Sequence, residues 1–411
     1  MVGARVDVEL ATPAEPGDAA AVGCALAPGR WFDAASARPR PRPAHAVWAA
    51  TDPRGYGGAH ARGRAHVHLG RGNTALTRPV VLADGLGHGP ADHPVAALTG
   101  DGPLDALLDS GRDLVLVGFA ERHTHVQANA GVLLDVLDQV RREARGPLVV
   151  GGVGVGGLMA RYALSLLEHE GADHAAAAYL SVDTPHDGAW APLVLQQLAY
   201  YFERFPAGAA TAELLRGPAA QQVFAAWVRD AKYSGPVAAP LRRAFLADLR
   251  RVGDFPRRPR LIGLSSGRGD GTGPELTAGA PAFAWSLGGL ARAVVRFQPS
   301  GGTDAPIGVV SALSELRRLT TTGVPAYDTA PGGTAEFFGQ AADALGAAIP
   351  DAHRATCFVP STSAAALGDD DPHTPVGDRT GPFHAFRCAS TNLPHGRLDD
   401  AQVSWLLDEL P

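Results

Sequence analysis

The chain has 411 residues, with 36 lysines and arginines against 42 aspartates and glutamates; the formal charge of −6 argues against a nucleic-acid partner, which needs an excess of clustered cations. Its three cysteines, Cys24, Cys357 and Cys388, are too few and too far apart for a disulfide framework or a thiolate zinc site, which predicts a reducing compartment. The N-terminus lacks the apolar core of a signal peptide and no apolar run reaches bilayer length, so the expectation is a cytoplasmic protein with no integral membrane association.

In chain order, residues 6–10, 46–50 and 64–69 have short alternating or β-rich character between turns rich in Pro, Gly and Arg. They predict a β-rich N-terminal extension over residues 1–78. From residue 79 the texture changes. Residues 80–83, 114–117, 148–150, 179–182 and 261–264 are continuous apolar runs separated by helical segments, the pattern of parallel strands buried on both faces. An α/β domain with a mostly parallel central sheet and flanking helices is therefore expected over residues 79–411. Residues 196–249 have helical texture without a strand, which predicts a helical cap at about 196–250; ordinary helical packing accounts for the same pattern. Residues 283–316 have some β content and predict a second insertion at about 280–330. Residues 356–359 return to strand, and residues 401–410 read as an amphipathic terminal helix.

The stretch 147–164, PLVVGGVGVGGLMARYAL, reads as a buried strand, a glycine turn and a helix, and it admits two readings. Gly152-x-Gly154-x-x-Gly157 satisfies the dinucleotide fingerprint, whose glycines let a pyrophosphate approach a helix N-terminus. Asp183, ending the next apolar strand, stands roughly where an acidic ribose ligand would lie. Against this, two parallel-type strands precede the turn, whereas the fingerprint usually opens its domain. Gly152-Val153-Gly154-Val155-Gly156 also satisfies the GxSxG nucleophile elbow, except that glycine stands at the place of the serine.

Residues outside the glycines carry a resemblance. Residues 156–164, GGLMARYAL, resemble the helix after the elbow in bacterial lipase-like and esterase-like α/β-hydrolases, and residues 179–189, YLSVDTPHDGA, resemble their TPHxG segment. Residues 79–88, PVVLADGLGH, are similar to their first core strand and oxyanion loop. Residues 358–364, FVPSTSA, and 392–395, NLPH, are similar to their late strand and histidine-bearing loop. The blocks occur in family order over residues 79–411. The chain thus resembles the α/β-hydrolase superfamily with the elbow serine replaced by glycine.

The resemblance implies a set of roles. A serine at the position of Gly154 would attack an acyl carbon, and His395 would take its proton. Asp270, after the strand at 261–264, takes the topological place of the acid. The N–H of Val155 and one near Gly85 or Leu86 would form the oxyanion hole. His88, Asp183 and His186 lie where a substrate pocket would be, with His93 beside the oxyanion loop; His186 also reads as a structural ring of its turn. Asp369, Asp370 and Asp371 read as a solvated run, and the aspartate that often follows Pro-Phe in relatives is absent from Gly381-Pro-Phe-His384. His123 and His125 with Glu121 lack a third ligand at a recognisable spacing, so no metal and no cofactor is expected.

Glycine has no side chain to acylate. The reading is therefore a catalyst acting non-covalently on a small, largely apolar carbonyl compound by cyclisation, isomerisation, elimination or histidine-assisted hydrolysis, as natural-product biosynthesis uses. Two alternatives stay open at this point: a lipase or esterase carrying an engineered serine-to-glycine change at Gly154, and a ligand-binding pseudohydrolase without catalysis.

Overall fold

The computed structural model describes residues 3–11, 43–85, 103–204, 206–287, 291–312 and 315–411. An eight-stranded sheet runs, edge to edge, through Ala385–Cys388, Arg260–Ser265, Ala176–Val182, Leu148–Val153, Pro79–Ala83, Asp113–Phe119, Arg62–His68 and Ala46–Thr51. The first six are mutually parallel, and the last two add as an antiparallel pair. Ranked by position in the chain, the spatial order is 1-2-4-3-5-6-7-8.

Alternation along the strands assigns the two faces. Val81, Ala83, Val115 and Val150 face the helices Val126–Glu143 and Val155–His169, while Val80, Leu82, Leu116 and Val149 face Pro103–Asp109 and Asp400–Glu409. Both faces are covered, which is why the parallel strands read as unbroken apolar runs. From Pro79–Ala83 the chain proceeds to a strand on one side, and from Leu148–Val153 to a strand on the other. The crevice at their carboxyl ends is thus the topological switch point, where open α/β sheets place their ligands.

The described residues within 1–78 divide between two sheets. Strands Ala46–Thr51 and Arg62–His68 extend the main sheet. Arg5–Ala11 pairs along its whole length with Glu315–Thr322, inside a six-stranded sheet that also holds Pro281–Leu287, Ala291–Arg296, Ala305–Ala312 and Gly235–Pro236. Edge hydrogen-bonding capacity on the distant strand, which no local pattern reports, recruits Arg5–Ala11 there. Between Ala176–Val182 and Arg260–Ser265 the chain passes through the helices Leu193–Tyr201, Pro206–Arg216, Pro218–Val223 and Pro240–Arg251. A separate two-stranded ribbon, Gly332–Ala335 with Thr356–Pro360, lies beside the carboxyl end of the main sheet. Among the described residues no helix is long and apolar enough to cross a membrane.

Candidate active site

The strand Leu148–Val153 ends in a turn whose centre, Gly154, has φ 55° and ψ −126°, and the helix Val155–His169 begins at the next residue. An L side chain seldom adopts this conformation, and glycine takes it without steric penalty. The turn is fastened by the Gly154 N–H to Val182 O (2.9 Å) and by the Gly157 N–H to Gly154 O (3.0 Å). A Cβ on Gly152 would overlap the backbone of Gly156, and one on Gly156 would overlap that of Ala83. These two glycines let the helix start directly against the sheet. Val155 is the first helical residue, so its N–H has no acceptor within the helix and carries part of the helix's positive end.

His395 faces this turn. An atom placed at the Cβ position of Gly154 would lie 2.6 Å from His395 Nε2, 3.1 Å from Cε1 and 3.9 Å from Cδ2, so the Nε2 edge of the ring points into the elbow. On the other side, His395 Nδ1 is 2.6 Å from Asp183 Oδ2. The Asp183 carboxylate is fully buried, and its Oδ1 also accepts the Ser266 N–H at 3.0 Å. A carboxylate at Nδ1 fixes the tautomer that leaves a lone pair on Nε2.

The ribbon Gly332–Ala335 with Thr356–Pro360 builds the wall behind this pair. The His395 N–H donates to Thr334 O (2.9 Å), the Thr334 N–H donates to Leu393 O (2.9 Å), and the Phe358 ring meets the His395 ring edge-on at 4.8 Å. Gly333 has no Cβ where one would overlap Asp183 Oδ2. Asn392 Oδ1 accepts the N–H groups of Arg268 (3.0 Å) and Gly332 (3.1 Å), tying the histidine loop to the ribbon and to the end of strand Arg260–Ser265.

Three expectations are corrected by these positions. Asp270 does not meet His395: it is half exposed and paired with Arg268, whose guanidinium holds its carboxyl well below the usual range. Asp183 does not line a pocket, because it is buried behind the histidine ring with its Oδ2 on Nδ1. His186 does not reach a pocket either. It is buried between Phe255 and Phe383, accepts a hydrogen bond from Arg161 Nη1 at Nδ1 (3.1 Å) and donates from Nε2 to Ser181 Oγ (3.0 Å). Desolvation, and then the neighbouring Arg161 charge, push its pKa well below 6.5. Arg161 of the GGLMARYAL helix and His186 of the TPHDG turn thus belong to one buried cluster that locks helix to strand.

Leu86, His88 and His93 lie outside the described residues. Beside them, Asp84 ends its strand with Oδ2 3.1 Å from Arg122 Nη1 and accepts the Gly85 N–H at Oδ1 (2.9 Å); burial pushes its carboxyl up to about 6 despite the arginine. His125 Nδ1 lies 3.3 Å from Gln222 Nε2, and its ring tilts against Tyr56. The dinucleotide reading loses its space: His395 occupies the room beside Gly154, Thr184 Oγ1 that beside Gly157, and Asp183 is engaged with His395.

A sharp strand-to-helix turn after the fifth strand, an acid at the end of the sixth and a histidine after the eighth follow the chain order of the Ser-Asp-His sites built on one kind of sheet. The fold is that of the α/β-hydrolases. No protein-family model and no curated protein matches the chain. Solved structures similar to it include a lidless α/β serine hydrolase from Xanthomonas campestris (18% identity, TM-score 0.26, covering 37% of this chain and 66% of that one). Others are the mature lipase of Bacillus licheniformis (15%, 0.31, 50% and 72%) and an esterase from Pyrobaculum calidifontis (16%, 0.31, 54% and 66%). The hydrolase-fold chain spans just under two thirds of the first and third of these.

Asp183, the carboxylate that meets His395, immediately follows an apolar strand in the sequence. It takes φ 49°, a conformation aspartate tolerates better than most residues. Its neighbours Thr184, Pro185 and His186 already carried the family pattern.

Proposed function

We propose that the chain catalyses a reaction of a small, largely apolar carbonyl compound without a serine acyl-enzyme. His395 Nε2 moves the proton and Asp183 holds the ring and supports its charged form. The Val155 N–H receives the developing oxyanion, with the family resemblance assigning a second N–H to Gly85 or Leu86. Cyclisation, isomerisation, elimination and histidine-assisted hydrolysis can all use these groups with no side chain at position 154; a step in natural-product biosynthesis is one setting for such chemistry. The observation that carries this reading is the Asp183–His395 pair aimed at a turn with no nucleophile.

The test is a panel of apolar ketones, lactones and esters in deuterated water, followed by mass spectrometry for α-carbon deuterium and for product. His395→Gln and Asp183→Asn should each slow at least one substrate by about 100-fold or more, in line with the weight of a general base. Equal rates in the parent and both variants, with the fold intact by circular dichroism, would leave ligand binding without catalysis.

A second reading has one observation in its favour. Gly154 keeps a φ/ψ pair that glycine does not need and that a nucleophile elbow imposes, as it would in a serine hydrolase whose serine has been exchanged. Restored fluorophosphonate labelling in Gly154→Ser, abolished by adding His395→Gln, would support it. An inert Gly154→Ser chain with an intact fold would remove it.

A further inference from the structure

The Nε2 edge of His395 reaches into the volume that a side chain at position 154 would occupy. The would-be Cβ lies closer to Nε2 than to any other ring atom, at a separation no real Cβ tolerates. A proton acceptor that served a serine would stand one hydroxyl behind the reacting carbon. Here no atom stands between. A carbonyl seated with its oxygen toward the Val155 N–H presents its carbon to the Nε2 lone pair directly. Nδ1 is held by the buried Asp183, the ring side chain is 18% exposed, and no hydrogen bond to Nε2 is found among the described residues. Neither Cys357 nor Cys388 competes as a nucleophile, since burial pushes both thiols up, the second to about 12.

From this geometry we infer a further activity: His395 Nε2 is itself a nucleophile toward activated acyl groups such as aryl esters and thioesters, forming an acyl-imidazole in place of an acyl-serine. The inference rests on the reading of Asp183, His395 and Val155 given above. It adds a covalent step for substrates with good leaving groups to proton transfer for those without. The Nε2 lone pair forms the N–C bond, the carbonyl π pair moves to oxygen, and the tetrahedral intermediate expels the aryl oxide or thiolate with its bonding pair. The acyl-imidazolium keeps its Nδ1–H on Asp183, whose charge offsets it. Water then attacks the acyl carbon, the C–N pair returns to Nε2, and the carboxylic acid leaves with one proton released to solvent.

The probe is p-nitrophenyl acetate with the whole chain, its Gly154→Ser form and its His395→Gln form, read by rapid-quench intact mass, peptide mapping and solvent isotope effect. The parent should release close to one equivalent of p-nitrophenolate in a burst, gain the mass of one acetyl group on His395, lose it to hydroxylamine and show an isotope effect near unity. Lys232, the single lysine, and the N-terminus label equally in all three chains and serve as the background. In Gly154→Ser the acetyl group should move to position 154. Release that depends on His395, with a clear normal isotope effect and no adduct, would overturn the nucleophile while leaving the proton-transfer reading of the site. Release no faster than buffer, or unchanged in His395→Gln, would likewise overturn the nucleophile, and the ketone and lactone panel in deuterated water then decides the proton-transfer reading by itself.

Discussion

Replacing Gly154 by alanine tests the elbow and its histidine together, because two separate costs are expected. The first is backbone strain: φ 55° with ψ −126° costs an L residue about 1–3 kcal/mol. The second is contact. The new Cβ lies 2.6 Å from His395 Nε2, so the ring must retreat by about 1 Å to reach an ordinary separation of about 3.5 Å, against its bond to Asp183. Weakening a charge-assisted hydrogen bond of that kind costs about 1.5–3 kcal/mol. Gly154→Ala should therefore destabilise the chain by about 2.5–6 kcal/mol. At a glycine of ordinary φ with room for a methyl group the same change stabilises by about 0.4–1 kcal/mol, so the sign alone is informative. Urea denaturation of the parent, Gly154→Ala, His395→Ala and the double variant forms a cycle. With His395 removed the cost should fall to the backbone part, about 1–3 kcal/mol. An unchanged cost in the two backgrounds, or a raised midpoint in Gly154→Ala, would refute the geometry described for the turn and its histidine.

Three other outcomes are expected. Asp183→Asn should lower His395-dependent turnover by about 100-fold or more by freeing the wrong tautomer, whereas Asp270→Asn, at an exposed Arg268 pair, should leave it within about twofold. Asp328 is fully buried, accepts Trp190 Nε1–H (2.7 Å) and the Gln298 N–H (2.6 Å), and burial pushes its carboxyl from 3.8 up to about 6. A raised carboxyl favours the folded state fully below pH 3.8 and loses that contribution as pH rises through 6, about 3 kcal/mol in all. Urea midpoints taken between pH 4 and 7 should fall less steeply in Asp328→Asn than in the parent, and parallel slopes would contradict the assignment. His186→Ala should cost about 2–4 kcal/mol, because Arg161 and Ser181 lose a buried partner, yet leave turnover per folded molecule unchanged; a selective loss of activity would return His186 to the site.

Much of the central sheet was legible because strands buried on both faces leave unbroken apolar runs. The turn was legible because Gly152 is demanded by a contact four residues along the chain, against Gly156, whereas the contact that demands Gly156, against Ala83 of the adjacent strand, was not. The partner of Arg5–Ala11 was not legible. Its alternation predicts a strand but carries no address, and the pairing strand lies some three hundred residues away. The same limit applies to the carboxylate that meets His395. Asp270 follows a core strand in a glycine-rich turn, which suits a catalytic loop, but its carboxylate turns to Arg268 while Asp183 meets His395.

The sequence by itself determined the α/β class and the strand, turn and helix around Gly154, and it named His395 as a candidate, because each rests on local periodicity or an ordered set of short motifs. Tertiary structure alone decided that Asp183 rather than Asp270 meets His395, that His186 belongs to the core, and that the imidazole fills the space beside Gly154. Those facts depend on residues 212 positions apart converging where the end of one strand, the histidine loop and the ribbon Gly332–Ala335 pack together. Such convergence is set by strand order and side-chain volume, and neither is written in the spacing of residues along the chain.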